Sequence, residues 1–226
     1  MTNAEKALER VSDGMTLGLG SGHAAERFVA ALGDRVRAGL KVRGVPTSRK
    51  TADLAARAGI PLVKLDDALP IDITFDGADE VDPHLDLIKG YGHALFREKI
   101  VAAGSKQLVI LIGPEHAREK LVGTLGERGK LPVEVVPFAL PLVAQRLDDL
   151  GLTGNLLTDS AGPFVSDNGN HILELRVGPI PDPAALEQQL RAIPGVVATG
   201  LFLGMANAVL VEENGAVEVR QRASRG

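Results

Sequence analysis

Short aliphatic runs alternate with helix-period stretches through the first half of the chain. Met15 to Leu19 reads as a strand, and Ala24 to Leu32 as the helix behind it. Lys41 to Val45 is a second strand. A helix from about Ser48 to Ala58 follows it and stops at Gly59, before Pro61. Leu62 to Leu65 and Ile71 to Phe75 read as further short strands. A helix from about Ala94 to Ala103 then leads to the apolar run LVILI at 108–112. Strand–helix–strand alternation of this kind predicts an α/β fold, a parallel sheet with helices on both faces. Right-handed crossovers place the C-terminal end of every parallel strand on one rim. Open α/β sheets bind their ligands along that rim. The loops that reach it begin at Gly18, Pro46, Asp76 and Gly113.

The pattern changes after about residue 126. LPVEVVPF is a strand or two, and Leu142 to Leu150 is helical. Asp167-Asn168-Gly169 marks a tight hairpin turn between FVS and HILELRV. A helix from Pro183 to Ile193 ends in the Pro194-Gly195 turn, and GVVATGLF follows as a strand. This predicts a smaller α+β lobe of ferredoxin-like type. The run ANAVLV at 206–211 is a last strand that returns to the first domain. The expected division is 1–126 plus 203–226 for the parallel-sheet domain and 127–202 for the lobe.

Composition narrows the class. With 226 residues, 45% of them hydrophobic and 3% aromatic, the core must be large and aliphatic. The net charge of −4 has its signs interspersed, which leaves no footprint for nucleic acid or an anionic membrane. No apolar run approaches the roughly 20 residues of a membrane span. The N-terminus is amphipathic, and Thr2-Asn3-Ala4-Glu5 fits a capping box, so it reads as a helix start and not a signal peptide. Cysteine is absent, which excludes disulfides, thiolate catalysis and zinc–thiolate sites and suits a cytoplasmic protein.

Three rim loops carry candidate chemistry. GLGSGHA at 18–24 lies between a strand and a helix. Its backbone N–H groups and the helix N-terminus favour an anion such as phosphate. It is equally readable as a tight turn in which glycine supplies unusual dihedrals, since neither the dinucleotide spacing nor a Walker lysine is present. VPTSRKT at 45–51 reads first as N-capping by Thr47 or Ser48, with a secondary role in lining the site. The stretch FDGADEVDPHLDLIKGYGHALFREKI at 75–100 packs five acids into its first half and puts Lys89, two glycines and His93 behind them. It lacks the ligand ladder of a calcium loop, so no metal is expected. Asp76 and Asp79 follow the strand IDITF, one turn apart on the ligand rim. Glu98 lies one helical turn beyond Ala94, with Arg97 and Lys99 on other faces. Carboxylates can move protons and Lys89 can hold an oxyanion. Acids, a cation and a phosphate loop suit proton abstraction next to a carbonyl, as in sugar-phosphate aldose–ketose isomerisation.

At these residues the chain resembles the ribose-5-phosphate isomerases of the A type. The family's motifs are a GLGTGSTA-like loop, a VPTS-like turn, DGADE, a KGGGGA-REKI segment and LPVEV-P. Here they stand as GLGSGHAA, VPTSRKT, DGADEVD, KGYGHALFREKI and LPVEVVPF, in order along nearly the whole chain. The stretch IPGVVATGLF matches as well. The resemblance implies a Rossmann-like domain with a small α+β lobe. It implies interconversion of ribose 5-phosphate and ribulose 5-phosphate through an enediolate, a step of the non-oxidative pentose phosphate pathway. Glu98 would carry the proton between C1 and C2, Asp76 and Asp79 would handle hydroxyl protons and ring opening, and Lys89 would hold the oxyanion. Ser21, Gly22, His23, Ala24, Gly77, Ala78, Gly90, Tyr91 and Gly92 would contact substrate, and either Lys120 or His116 would supply a further ligand contact. No cofactor is implied. The expected partners are the phosphosugar and further copies of the chain, as a homodimer or homotetramer.

The chain also departs from the family pattern. His23 and Ala24 stand where Ser-Thr is usual, Tyr91 and His93 interrupt the glycine run, and the family's N-terminal lysine has no counterpart. A non-catalytic sugar-phosphate-binding protein and an isomerase for a different phosphosugar are therefore the alternatives. A binder has no need of a base, and the retained Asp76, Asp79, Lys89 and Glu98 argue against it.

Overall fold

The computed structural model describes residues 1–222. They form two compact units. The first comprises Met1–Ala78, Arg97–Lys120 and the described chain from Gly204 onward, and the second Asp79–Phe96 and Leu121–Leu203. Residues 223–226, the end of the segment expected to return to the first domain, lie outside the described residues.

The first unit is built on a six-stranded sheet. Its strand order is Ala216–Gln221, Ala208–Glu213, Leu108–Ile112, Ile73–Asp76, Thr16–Leu19 and Arg43–Pro46. All neighbours run parallel except the pair formed by Ala208–Glu213 and Ala216–Gln221. Counted along the chain, the parallel strands are ordered 2-1-3-4-5, one of the two common doubly wound arrangements. Near-continuous apolar strands fit a sheet covered on both faces: LVILI is buried at every position. Helix His23–Arg37 buries Ala25, Phe28, Val29 and Leu32, positions three or four apart, and the Phe28 and Phe75 rings meet at 4.3 Å between centroids. Gly18 lets strands approach closely, because a Cβ there would lie 1.8 Å from Thr74 Oγ1. Helix Asn3–Leu8 begins with the expected capping box: Glu5 N donates to Thr2 Oγ1 at 3.1 Å, and Thr2 N donates to Glu5 Oε2 at 2.8 Å.

Leu62 to Leu65 does not form the expected strand. It contributes an isolated bridge between Leu62 and Gly44, and a 3₁₀ turn takes over at Leu65–Asp67. Pro61 has no N–H to offer a ladder, and the segment hydrogen-bonds to the sheet through its Pro61 carbonyl and Val63 N–H.

The second unit contains a four-stranded antiparallel sheet ordered Val196–Thr199, Lys130–Val135, His171–Arg176, Thr153–Leu156. Helices Leu140–Asp149 and Pro183–Arg191 fall between strands one and two and between strands three and four. The succession βαββαβ with order 4-1-3-2 is the ferredoxin-like arrangement. Leu131, Val133 and Val135 alternate into a core with Val143, Leu147, Leu173, Leu175 and Leu190.

The Asp167-Asn168-Gly169 turn forms, with Gly169 at φ +79 and Ser166 N donating to Asn170 O at 2.8 Å. The FVS strand expected before it does not. Both edges of His171–Arg176 are occupied, by Lys130–Val135 and Thr153–Leu156, and Gly162–Pro163 pairs instead with Thr158–Asp159.

The segment 79–96 packs with the second unit, whereas the sequence division placed it with the first. Glu80–Val81 pairs with Leu87–Ile88, which pairs in turn with Leu201–Phe202 in a small three-stranded sheet. Val122 N donates to Val81 O at 3.0 Å, which also draws the chain from Leu121 into this unit. Among the described residues no helix is long and apolar enough to cross a membrane.

Candidate active site

In the first unit the rim between Thr16–Leu19 and Ile73–Asp76 is the point where strand order reverses, the place such sheets hold ligands. Gly20 N donates to Phe75 O at 2.9 Å. Ser21 N donates to Asp76 Oδ1 at 3.0 Å, and Gly77 N reaches the same oxygen at 2.8 Å. The Asp76 carboxylate is fully buried and is aimed by these two amides. Gly20 has to be glycine, since a Cβ would sit 2.2 Å from Asp76 Oδ1. Gly22, at φ +85, is the N-cap of helix His23–Arg37 and makes no side-chain cap. The first-turn N–H groups of that helix therefore point to the rim, where an anion is favoured.

A hydroxyl cluster supports this loop. Ser21 Oγ lies 2.8 Å from Thr47 Oγ1, 3.2 Å from Ser48 Oγ and 3.3 Å from Thr51 Oγ1. Thr51 Oγ1 donates to Gly20 O at 3.1 Å, and Thr47 Oγ1 donates to Leu19 O at 3.0 Å. Ser48 caps its helix as expected, accepting from Thr51 N at 3.0 Å. Thr47 and Thr51 are both buried, and their work is to pin the neighbouring loop, which the capping interpretation did not foresee. The signal was available in the run of hydroxyls at a second rim turn.

Glu98 stands on the first turn of helix Leu95–Ala103 with 4% of its surface exposed, so it does not face bulk water. The helix N-terminus favours its carboxylate. His23 is exposed, Ala24 half-buried and Ala78 buried. His116 is exposed, 3.6 Å by Nδ1 from Glu119 Oε2, and Lys120 is half-buried at the end of helix Ala117–Lys120.

In the second unit Asp79, Lys89, Gly90 and Tyr91 are neighbours. Asp79 N donates to Ile88 O at 2.8 Å, and the Asp79 carboxylate accepts from Tyr91 N at 2.9 Å. Lys89 is 2% exposed, its N–H bonds to Gly200 O at 2.9 Å, and its ammonium lies 5.4 Å from the centroid of the Phe202 ring. Gly90 adopts φ +104. Gly92 has open space where a Cβ would stand. His93 adopts φ +66; burial pushes its pKa down, against the pull of Glu174. Tyr91 OH donates to Lys130 O at 3.0 Å. Burial pushes the Tyr91 phenol well up, with the Glu80 and Asp79 charges adding to it.

Sequence reasoning missed Glu80, which is buried and accepts from Gly126 N at 2.5 Å and Arg128 N at 2.9 Å. Burial raises its pKa above the usual carboxylate range. Inside an acidic run, nothing local distinguishes a carboxylate that holds a distant loop from one that is solvated. Among the described residues no group of three His, Asp or Glu side chains is arranged to hold a metal ion.

Comparison with known proteins agrees with this architecture. The family model for ribose 5-phosphate isomerase A (phosphoriboisomerase A) matches residues 43–215. A ribose-5-phosphate isomerase A from Gloeobacter violaceus is 49% identical over 219 residues, covering 96% of this chain and 94% of its own. One from a Roseiflexus species is 50% identical over 226 residues, with 98% and 95% covered. Among solved structures, the ribose 5-phosphate isomerase A of Methanocaldococcus jannaschii superposes with a TM-score of 0.91 at 40% identity, covering 97% of this chain and 96% of its own. A D-ribose-5-phosphate isomerase in complex with phospho-erythronic acid also gives 0.91, at 36% identity and the same coverage. Identity near one half, sustained from end to end on a doubly wound sheet with a ferredoxin-like unit, places this chain in the ribose 5-phosphate isomerase A family.

Proposed function

We propose that this protein interconverts ribose 5-phosphate and ribulose 5-phosphate. The observation that carries the reading is the full-length similarity to isomerases of that name, with Asp76, Asp79, Lys89 and Glu98 all present in the family's motifs. The buried state of Asp76, Lys89 and Glu98 supports it, since charged groups are rarely buried without a task.

The chemistry follows from the residue types. Glu98 takes the proton from C2 of the open-chain aldose, and the electron pair forms the C1–C2 double bond of an enediolate. The same carboxyl returns the proton to C1, while the hydroxyl proton moves from O2 to O1. Asp76 and Asp79 handle those hydroxyl protons and open the furanose ring. The Lys89 ammonium stabilises the oxyanion. The phosphate binds at the 20–24 loop, on the first-turn amides of helix His23–Arg37, with Ser21, Gly22, His23 and Ala24 around it. Gly77, Ala78, Gly90, Tyr91 and Gly92 supply close contacts to the sugar, and Lys120 or His116 a further one. The residues proposed here need no cofactor or metal.

The test is purified protein offered ribose 5-phosphate, with arabinose 5-phosphate and glucose 6-phosphate as competing aldoses. Ribulose 5-phosphate formation at an enzymatic rate is expected. Preferential turnover of another phosphosugar would favour the alternative that His23, Ala24, Tyr91 and His93 motivate. Binding without turnover of any of them would make the chain a sugar-phosphate binder. We further propose a cytoplasmic homodimer or homotetramer. Phe138 is 96% exposed and Val136 and Leu142 are exposed beside it in sequence, an apolar surface that a second copy would cover. Light scattering on the purified protein checks this.

A further inference from the structure

The family's glycine run is interrupted here by a tyrosine, and the second unit shows what that tyrosine does. The Tyr91 ring is half-buried and held from three sides. Its hydroxyl donates to Lys130 O at 3.0 Å, the Lys130 ammonium lies 4.8 Å from the ring centroid, and the Arg128 guanidinium lies 5.6 Å from it. Both residues are themselves held. Lys130 pairs with Glu174, and Arg128 N is bound to the buried Glu80. The outcome of these contacts converges on one residue. Tyr91 N donates to Asp79 Oδ2 at 2.9 Å, and Arg128 Nη1 donates to Asp79 O at 3.0 Å. The carboxylate and the carbonyl of Asp79 are thus each held by a member of the same cluster.

We propose that Tyr91, clasped by Arg128 and Lys130, is a positioning residue for the Asp79 carboxylate. A glycine at this position would offer the same backbone N–H but nothing to hold it still; the neighbouring Gly90 and Gly92 leave the loop free to move. The ring replaces that freedom with an anchor. A misplacement of a catalytic group by about 1 Å can cost on the order of 100-fold in rate, so an anchor of this kind acts on turnover. Because the phenol stays protonated, the anchor persists across the working pH range.

The inference rests on the proposed isomerase reading and is separable from it. If wild-type protein does not turn over ribose 5-phosphate, that reading fails before Tyr91 is touched. With an active wild type, Tyr91→Phe removes one hydrogen bond and keeps the ring between the two cations. A fall in kcat of about threefold to tenfold is expected from loss of one such bond, with KM changed less than twofold. Tyr91→Ala removes the anchor entirely, and about a further tenfold fall is expected. The decisive step repeats both changes in an Asp79→Asn background. A residue that acts through Asp79 loses its effect there, and near-zero additional loss is expected. Full, independent losses in that background would overturn the proposal, as would kcat unchanged in both single variants. Losses confined to KM would show Tyr91 acting through its substrate contact alone and would equally overturn the positioning role. Thermal melts accompany each variant, and Tyr91→Phe carries the test if Tyr91→Ala does not fold.

Discussion

Two segments with candidate chemistry, the 18–24 loop with Asp76 in the first unit and the 79–93 segment in the second, are held in place by different means. The first is fixed by backbone. Amides of Gly20, Ser21 and Gly77 and the carbonyls of Leu19, Gly20 and Phe75 make its contacts, with hydroxyls of neighbouring loops filling in. Such a site tolerates no added volume at Gly18 or Gly20, although a Cβ at Gly22 would meet nothing. The second is fixed by side chains reaching from far along the chain, Glu80 to residues 126 and 128 and Tyr91 to residue 130. It has room at Gly92 but not at Gly90, where a Cβ would lie 2.8 Å from Leu95 Cβ, and it is where this chain departs from the family's glycine run. A backbone-built site is hard to vary at its close-packed glycines, while its helix-cap positions His23 and Ala24 do depart from the family pattern, and a side-chain-built one can be re-anchored when its sequence changes.

Adding one methyl group to the rigid side tests this difference most severely. Gly20→Ala places a Cβ 2.2 Å from Asp76 Oδ1, so the carboxylate has to move. Loss of kcat/KM by about 100-fold is expected, with about 1–3 kcal/mol of stability lost to overpacking. Steady-state kinetics and denaturant unfolding check both, and near-normal activity would show that Asp76 is not held as described. On the other side, Glu80→Ala leaves the Gly126 and Arg128 amides without their acceptor. An unsatisfied buried donor costs about 1–3 kcal/mol. The loss should be accompanied by faster amide exchange at 126–130 and no change in exchange at 18–24.

A smaller effect comes from Thr51→Val, which removes the hydroxyl bond to Gly20 O while keeping the shape. About 1 kcal/mol of stability is expected to go, with a modest rise in KM as the loop loosens. The smallest effect concerns His93. Burial lowers its folded pKa, so the folded state binds fewer protons than the unfolded chain near the ordinary histidine range. Its stabilising contribution is complete above that range and fades as pH falls through it. Unfolding measured from pH 7.5 to 5 should show wild type losing stability relative to His93→Asn, a residue that also tolerates the positive φ. A parallel decline of the two proteins would contradict it.

Much of the first unit was legible because its signals are local. Continuous apolar runs such as LVILI announce buried parallel strands, and glycines at strand ends announce rim turns. The same logic placed Asp76 on the rim and Ala208–Glu213 back in the sheet. What escaped were features decided by competition or by distance. The Asp167-Asn168-Gly169 turn was recognisable, but its expected first strand lost its place to partners already paired along His171–Arg176. The edge strand Ala216–Gln221 is polar along much of its length and was not anticipated, although Asn214-Gly215, both at positive φ, is a hairpin signature. Glu80, Arg128 and Lys130 carry no local mark of their roles, because their partners lie tens of residues away or are backbone atoms.

The proton-transfer role given to Glu98 is the claim on which the account turns. Glu98→Gln keeps the shape of a buried residue on the first turn of Leu95–Ala103 and removes the base. Conversion of ribose 5-phosphate deuterated at C2 by this variant is therefore the direct measurement. With unchanged folding and KM within a few-fold of wild type, kcat is predicted to fall by about 100- to 10,000-fold, and washout of the label into water to cease with it. Turnover and washout at wild-type rates would contradict the account.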